Sequence, residues 1–177
     1  MKKSTLITTL AFAFIMLLTT NVNAQKFNGI DKSVVDIAYY KNDRNSPPLI
    51  KVVYSRPLKK GRAVFGGLVP YGKVWRTGAN EASEIKFYSD MKVGDKKVKA
   101  GTYSLFTIPG EKEWTIIINS DTDVWGAYSY NASADVARIT VPATNDGESL
   151  EAFSITFTKG NMHLGWDTTR VSIPLSN

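Results

Sequence analysis

The residues best suited to chemistry lie in one Gly-rich stretch, "SRPLKKGRAVFGGLVPYGKVWRTGANEASEI", which spans residues 55–85. Trp75 offers a flat face for stacking on the apolar side of a ring, whereas Arg76, Asn80 and Glu81 offer directed hydrogen bonds. The glycines among them let the backbone approach a ligand closely. This combination is typical of sites for sugars and other small polar molecules. We therefore expect ligand contacts from Arg56, Trp75, Arg76, Asn80 and Glu81.

The same loop, residues 56–81, also fits a purely structural role. A salt bridge between Arg76 and Glu81 would pin it, and Trp75 would fill an open end of the fold. Asn80 would then bond to nearby backbone, as Asn does in turns. The two interpretations differ visibly, because binding requires a pocket beside Arg76 and locking requires Arg76 closed onto Glu81.

A second aromatic cluster, "DVWGAYSYN", lies at residues 123–131 and contributes Trp125 and Tyr128 as weaker candidates for the same ligand. If this segment meets the loop 56–81 in space, Trp75 and Trp125 would line one shared groove. If the two segments do not meet, each aromatic residue is expected to fill the core.

The composition argues against catalysis. The chain has no Cys and a single His, His163. Disulfides, a thiol nucleophile and a zinc site of several His are therefore excluded, and a Ser-His-Asp triad would have to use His163. The sequence predicts no catalytic residue, no metal ligand and no cofactor.

One catalytic alternative remains, a carboxylate-dependent hydrolase centred on Glu81. Glycosidases hold two carboxylates at a fixed separation. Glu84 is three residues away, so the two side chains would face opposite sides of a strand. The partner would have to come from Asp123, Asp135 or Asp167.

The elements that position these residues are short strands bounded by turn residues. "MKVGDKKV" places Gly94 first in a tight hairpin turn, and "NASADVA" predicts one helical turn. The strand pattern predicts an all-β, single-domain antiparallel fold of about nine short strands over residues 25–177, a β-sandwich or jelly roll. A closed β-barrel is the second architecture. The predicted longer strands cover residues 33–41, 49–55, 84–90, 101–108, 113–119, 136–142, 150–158 and 161–167.

The N-terminal 24 residues have the order of a secretory signal peptide: Lys2 and Lys3, an apolar run over Thr5–Thr20, then Val22 and Ala24 before the cleavage site. A membrane anchor is the alternative, but the run is short of the roughly 20 residues that span a bilayer. We expect an exported protein, periplasmic or secreted, with no membrane span after cleavage. The net charge is +6, but the charges are scattered, so nucleic acid is not an expected partner.

The runs "SRPLKKGRAVFGGLVPYGKVWRTGANEASEI", "AGTYSLFTIPGEKEWTIIIN", "VWGAYSY" and "LGWDTTRVSIPL" follow one another in an order that resembles the bacterial family called Domain of Unknown Function 2911. The resemblance covers about residues 30–175. It implies an exported protein and supplies no activity and no catalytic residues. Asp167 stands where a Glu would be the more usual acid, which shortens the reach of that carboxylate.

Overall fold

The computed structural model of the protein describes residues 25–177, so the predicted signal peptide lies outside the described residues. No helix in this part of the chain is long and apolar enough to cross a membrane. One turn of 3-10 helix, Ala132–Ala134, accompanies the strands and is capped by Asn131. The strands are β1 (Val35–Lys41), β2 (Pro48–Ser55), β3 (Ser83–Phe87), β4 (Met91–Val93), β5 (Lys96–Val98), β6 (Gly101–Ile108), β7 (Glu113–Asn119), β8 (Asp135–Thr144), β9 (Leu150–Thr158), β10 (Asn161–Asp167) and β11 (Thr169–Ser176).

The alternation of apolar and polar side chains explains these strands. In β11, Val171, Ile173 and Leu175 are buried, while Ser172 and Pro174 between them are exposed. Successive side chains of a strand point to opposite faces, so this period of two turns one face to the core and one to water.

Nine strands form one continuous antiparallel path in the order β1-β2-β3-β6-β7-β8-β11-β10-β9, while β4 and β5 form a hairpin attached to β11. The path ends with β9 close to β1, so the sheet is nearly closed into a barrel. The predicted all-β, single-domain antiparallel fold is confirmed. The sequence left two architectures open, a β-sandwich and a closed β-barrel, and the continuous path of strands resembles the barrel more closely.

The turn between β4 and β5 has the predicted form. Gly94 has φ +59° and Asp95 does not have a positive φ, as a Gly-first hairpin requires. An added Cβ at Gly94 would also lie 3.0 Å from the side chain of Ile139.

Side chains fasten the seam between β1 and β9. The hydroxyl of Tyr54, a residue of β2, donates to the Asp36 carboxylate of β1 at 3.3 Å and accepts from the Ile155 backbone N–H of β9 at 3.0 Å. Burial raises the pKa of this phenol, which keeps it neutral. Tyr40 stacks on Phe157 with the ring centroids 5.5 Å apart. The barrel is thus closed here by aromatic residues.

The core beneath the seam is aromatic. Trp114 and Trp166 are almost wholly buried, and edge-to-face packing dominates their contacts. The cluster comprises Phe65, Trp75, Trp114, Phe153 and Trp166.

Candidate ligand-binding site

The connection between β2 and β3, residues 56–82, is fastened to the barrel at three places. Its start pairs with β9, where the Lys59 N–H donates to the Glu151 carbonyl at 2.7 Å. Its middle pairs with β6, where the backbones of Trp75 and Thr107 exchange hydrogen bonds of 2.7 and 2.9 Å. Because these bonds satisfy the backbone of an irregular segment, they hold it in a fixed path across the barrel.

The third fastening joins the two segments that carry the candidate residues. The Ala82 N–H donates to the Val124 carbonyl at 2.9 Å, and the Gly126 N–H donates to the Asn80 carbonyl at 3.0 Å. The segment around Trp125 therefore does meet the connection 56–82.

Two residues between Arg76 and Glu81 that are not glycine have left-handed backbone conformations. Thr77 has φ +55° and Asn80 has φ +61°. For a β-branched residue such as Thr77 this conformation is strained, and strain of this kind costs about 1–3 kcal/mol. The Ser83 hydroxyl stabilises it by donating to the Thr77 carbonyl at 2.6 Å. The two kinks separate Arg76 from Glu81, which line different cavities.

The first cavity, named here the Trp75 pocket, has a volume of about 430 Å³, which is within the range of small-molecule sites. Trp75 is only 7 % exposed, and its indole N–H donates to the Gly78 carbonyl at 3.1 Å. Its ring therefore forms a wall of the pocket while most of it packs in the core. The residues lining the pocket are Ser33, Pro57, Arg62, Leu68, Val69, Pro70, Lys73, Val74, Trp75, Arg76, Gly78, Ala79, Asn80 and Trp166.

Arg76 is not closed onto Glu81. No ion pair joins these two side chains within the described range. The Nε atom of Arg76 is buried and has no hydrogen-bond partner among residues 25–177. A buried N–H without an acceptor is costly, so the structural explanation that the sequence offered for Arg76 does not describe this loop.

Glu81 lines a second cavity, named here the acidic cavity, of about 350 Å³ together with Glu84 and Asp123. The described residues contain no group of three His, Cys, Asp or Glu side chains arranged to hold a metal ion. Of the three partners that the sequence offered to Glu81, Asp123 is the one that shares this cavity.

Arg56 lies at the seam and not in either cavity. Its guanidinium donates to the Phe153 carbonyl at 3.0 Å, to the Ser154 hydroxyl at 2.7 Å and to the Asp36 carboxylate at 3.0 Å. These three bonds occupy the planar fork of donors, so the position of Arg56 is explained by closure of the barrel.

Trp125 and Tyr128 are surface residues, 61 % and 86 % exposed. The Tyr128 ring lies over Gly126, where an added Cβ would come within 2.7 Å of a ring carbon. Trp75, in contrast, is in the core. The two Trp residues therefore do not line a shared groove, although their segments touch.

The sequence prediction included only Trp75, Arg76 and Asn80 among the lining residues of the Trp75 pocket, and it missed the others, among them Arg62, Lys73 and Trp166. Trp166 could have been placed inside by alternation, because Met162 and Leu164 on the same face of β10 are also buried. Lys73 carries no signal of this kind.

Asp167, which stands where a Glu would be the more usual acid, forms an ion pair with Lys59. Its carboxylate accepts from the Lys59 ammonium at 2.5 Å and from the Ser149 hydroxyl at 2.8 Å. Hydrogen bonds from Lys59 and then Ser149 hold the pKa of Asp167 below its ordinary value. The pair fixes the start of the connection 56–82 to the end of β10.

The fold and the cavities define a single-domain, all-β protein with a nearly closed barrel and a long connection fastened across it. The family model described as "protein of unknown function (DUF2911)" matches residues 40–175, from β1 to β11, and the chain belongs to this family. The comparison with curated proteins and the comparison with solved structures each found no match.

Proposed function

We propose that this protein is an exported, non-catalytic binding module of the cell envelope whose ligand, a small polar molecule or a glycan unit, occupies the Trp75 pocket. The observation that supports this most is that Trp75, Arg76 and Asn80 line one cavity of suitable size, while the Nε atom of Arg76 has no hydrogen-bond partner among residues 25–177. The strained backbone at Thr77 and Asn80 adds support, since such conformations cluster at ligand sites.

The proposal is tested by ligand-observed NMR with a panel of mono- and oligosaccharides and small organic acids. The informative variant is Asn80→Gly, because Gly accepts the φ of +61° that Ala would strain. Loss of one side-chain hydrogen bond weakens binding by roughly 2-fold to 10-fold. The matched control is Asn45→Gly, at an exposed position of the loop between β1 and β2. A folded wild-type protein that binds no member of the panel, or equal binding by both variants, would contradict the proposal.

Export is tested separately by fractionating cells that express the full chain. We expect a product beginning at Gln25 in the periplasm or the medium, because cleavage after Ala24 is what the signal-peptide pattern predicts. An uncleaved chain retained in the cytoplasm would contradict export and leave the binding proposal in place.

The alternative function is a carboxylate-dependent hydrolase centred on Glu81. The observation that favours it is the shared lining of the acidic cavity by Glu81, Glu84 and Asp123, since glycosidases use two carboxylates across a cleft. Release of nitrophenol from a set of nitrophenyl glycosides, abolished by Glu81→Gln and retained by Glu113→Gln, would establish it. Glu113 is an exposed residue of β7.

A further inference from the structure

The charges that line the Trp75 pocket have one sign. Arg62, Lys73 and Arg76 are its three ionisable lining residues, and no acidic side chain of the described chain is among the lining residues. The hydrogen bonds of Arg62 to the Leu58 and Lys59 carbonyls, at 2.7 and 2.9 Å, hold its guanidinium in place. The pocket is therefore an electropositive concavity with at least one cation in a fixed position.

Two other half-buried basic side chains of the connection 56–82 have carboxylate partners. Arg56 pairs with Asp36, and Lys59 pairs with Asp167. Arg76 is half-buried as well, but its Nε lacks an acceptor among residues 25–177. A charged group removed from water requires a counter-charge or hydrogen bonds, and an anion bound in the pocket would supply a counter-charge to the Arg76 guanidinium.

One carboxylate outside the pocket contacts a lining residue: Asp31 accepts from the Ser33 N–H at 2.6 Å. The Ser33 N–H and then the Asn80 side chain lower the pKa of Asp31, so it is ionised at neutral pH. Asp31 does not line the cavity.

The remaining walls are apolar. Trp75, Trp166, Leu68 and Val69 line the same cavity as the cations. An inorganic ion would leave these walls in contact with water, whereas a carbon skeleton attached to the anionic group would cover them.

We propose that the Trp75 pocket binds a small organic anion, with its carboxylate or phosphate group held by Arg76 and Lys73 and its carbon skeleton against Trp75 and Trp166. This inference rests on the proposed function of the pocket as a ligand site. Arg76 provides a planar donor fork that suits either anionic group, and Lys73 adds a mobile point charge at the exposed rim.

The test uses the Nε–H resonance of Arg76 in nitrogen-15-labelled protein as the reporter. Glucuronate and glucose share a ring and differ in the carboxylate, so they form a matched pair of probes, and glucose-1-phosphate tests the phosphate group. We expect a saturable shift with glucuronate or glucose-1-phosphate and binding of glucose at least about tenfold weaker, a difference of about 1.4 kcal/mol. Inorganic phosphate alone is expected to bind more weakly than the better organic anion, because it covers none of the apolar wall.

Variants connect the binding to the named residues. Arg76→Gln should abolish the saturable binding measured on the neighbouring backbone amides, and Lys73→Gln should weaken it about 2-fold to 5-fold. Arg44→Gln, at an exposed position outside the pocket, controls for the loss of a positive charge. Thermal unfolding of each variant verifies that it is folded.

The failures are distinguishable. Equal binding of glucose and glucuronate would overturn the anion inference and leave the proposed function standing. Absence of saturable binding by every anionic probe would also overturn the anion inference, while the neutral members of the earlier panel decide the proposed function. Anion binding that survives Arg76→Gln but is lost in Arg44→Gln would place the anion outside the Trp75 pocket and refute the assignment.

Discussion

Replacing Trp75 by Ala should destabilise the protein strongly, although the sequence placed this residue in a ligand-binding loop. Its side chain is 7 % exposed, and its indole N–H donates to the Gly78 carbonyl. Four aromatic rings surround it at centroid distances of 5.0 to 6.2 Å, those of Phe65, Trp114, Phe153 and Trp166.

The expected loss is about 5 kcal/mol in the free energy of unfolding. Truncating a buried Trp to Ala costs about 3–5 kcal/mol, and the hydrogen bond to Gly78 adds about 1 kcal/mol. With a urea m value of about 2 kcal/mol per molar, the unfolding midpoint should fall by about 2.5 M. Domains have total stabilities of about 5–15 kcal/mol, so the Ala variant retains little of its stability or unfolds.

Trp125→Ala is the matched control, because Trp125 is 61 % exposed and outside the aromatic cluster. We expect a change within about 0.5 kcal/mol. Urea unfolding followed by far-ultraviolet circular dichroism measures both variants without relying on the fluorescence of the altered residue. If Trp75→Ala does not fold, Trp75→Phe gives a smaller loss that is still measurable. A loss under about 2 kcal/mol for Trp75→Ala, or a larger loss for Trp125→Ala, would refute the placement of Trp75 in the core.

Two further substitutions test the connection 56–82. Gly66→Ala should cost more stability in urea unfolding than Gly61→Ala: both residues have positive φ, of +82° and +69°, but only at Gly66 would the new Cβ meet a side chain, 2.7 Å from a ring carbon of Tyr71; equal losses would contradict the steric account. Asp167→Asn should reduce the loss of stability in acid. The pKa of Asp167 is lower in the folded protein than its ordinary value of 3.8, so the ionised carboxylate stabilises the fold at pH values above 3.8. This stabilisation disappears as the pH falls through the lower folded pKa. Urea unfolding of wild type and variant between about pH 7 and about pH 2 measures this contribution, and identical pH profiles would exclude it.

Much of the fold could be predicted, because each strand carries its own alternation. The predicted ranges 101–108, 113–119, 150–158 and 161–167 coincide with β6, β7, β9 and β10. β11 was not predicted as a strand, since Pro174 interrupts its run and Pro demotes a strand in sequence analysis. In the structure Pro174 lies opposite Asn161 near the end of the ladder. The order of strands could not be predicted, because it depends on pairs far apart in sequence.

The candidate site could be predicted only in part. Trp75, Arg76 and Asn80 do line one cavity, as a binding loop requires. Glu81 lies in a different cavity because Thr77 and Asn80 have positive φ values. A Thr side chain disfavours positive φ, so the sequence does not indicate the conformation at Thr77. The burial of Trp75 and the exposure of Trp125 likewise depend on which strands lie beneath each loop.

The seam between β1 and β9 has a consequence for the dimensions of the barrel. Strands joined by backbone hydrogen bonds lie about 4.8 Å apart, and the girth of a closed barrel follows from strand number and stagger. At this seam the Tyr54 phenol and the Arg56 guanidinium each bond to Asp36 of β1 and to the backbone of β9. The circumference at this place is therefore set by the length of two side chains, and two substitutions would adjust it without adding or removing a strand.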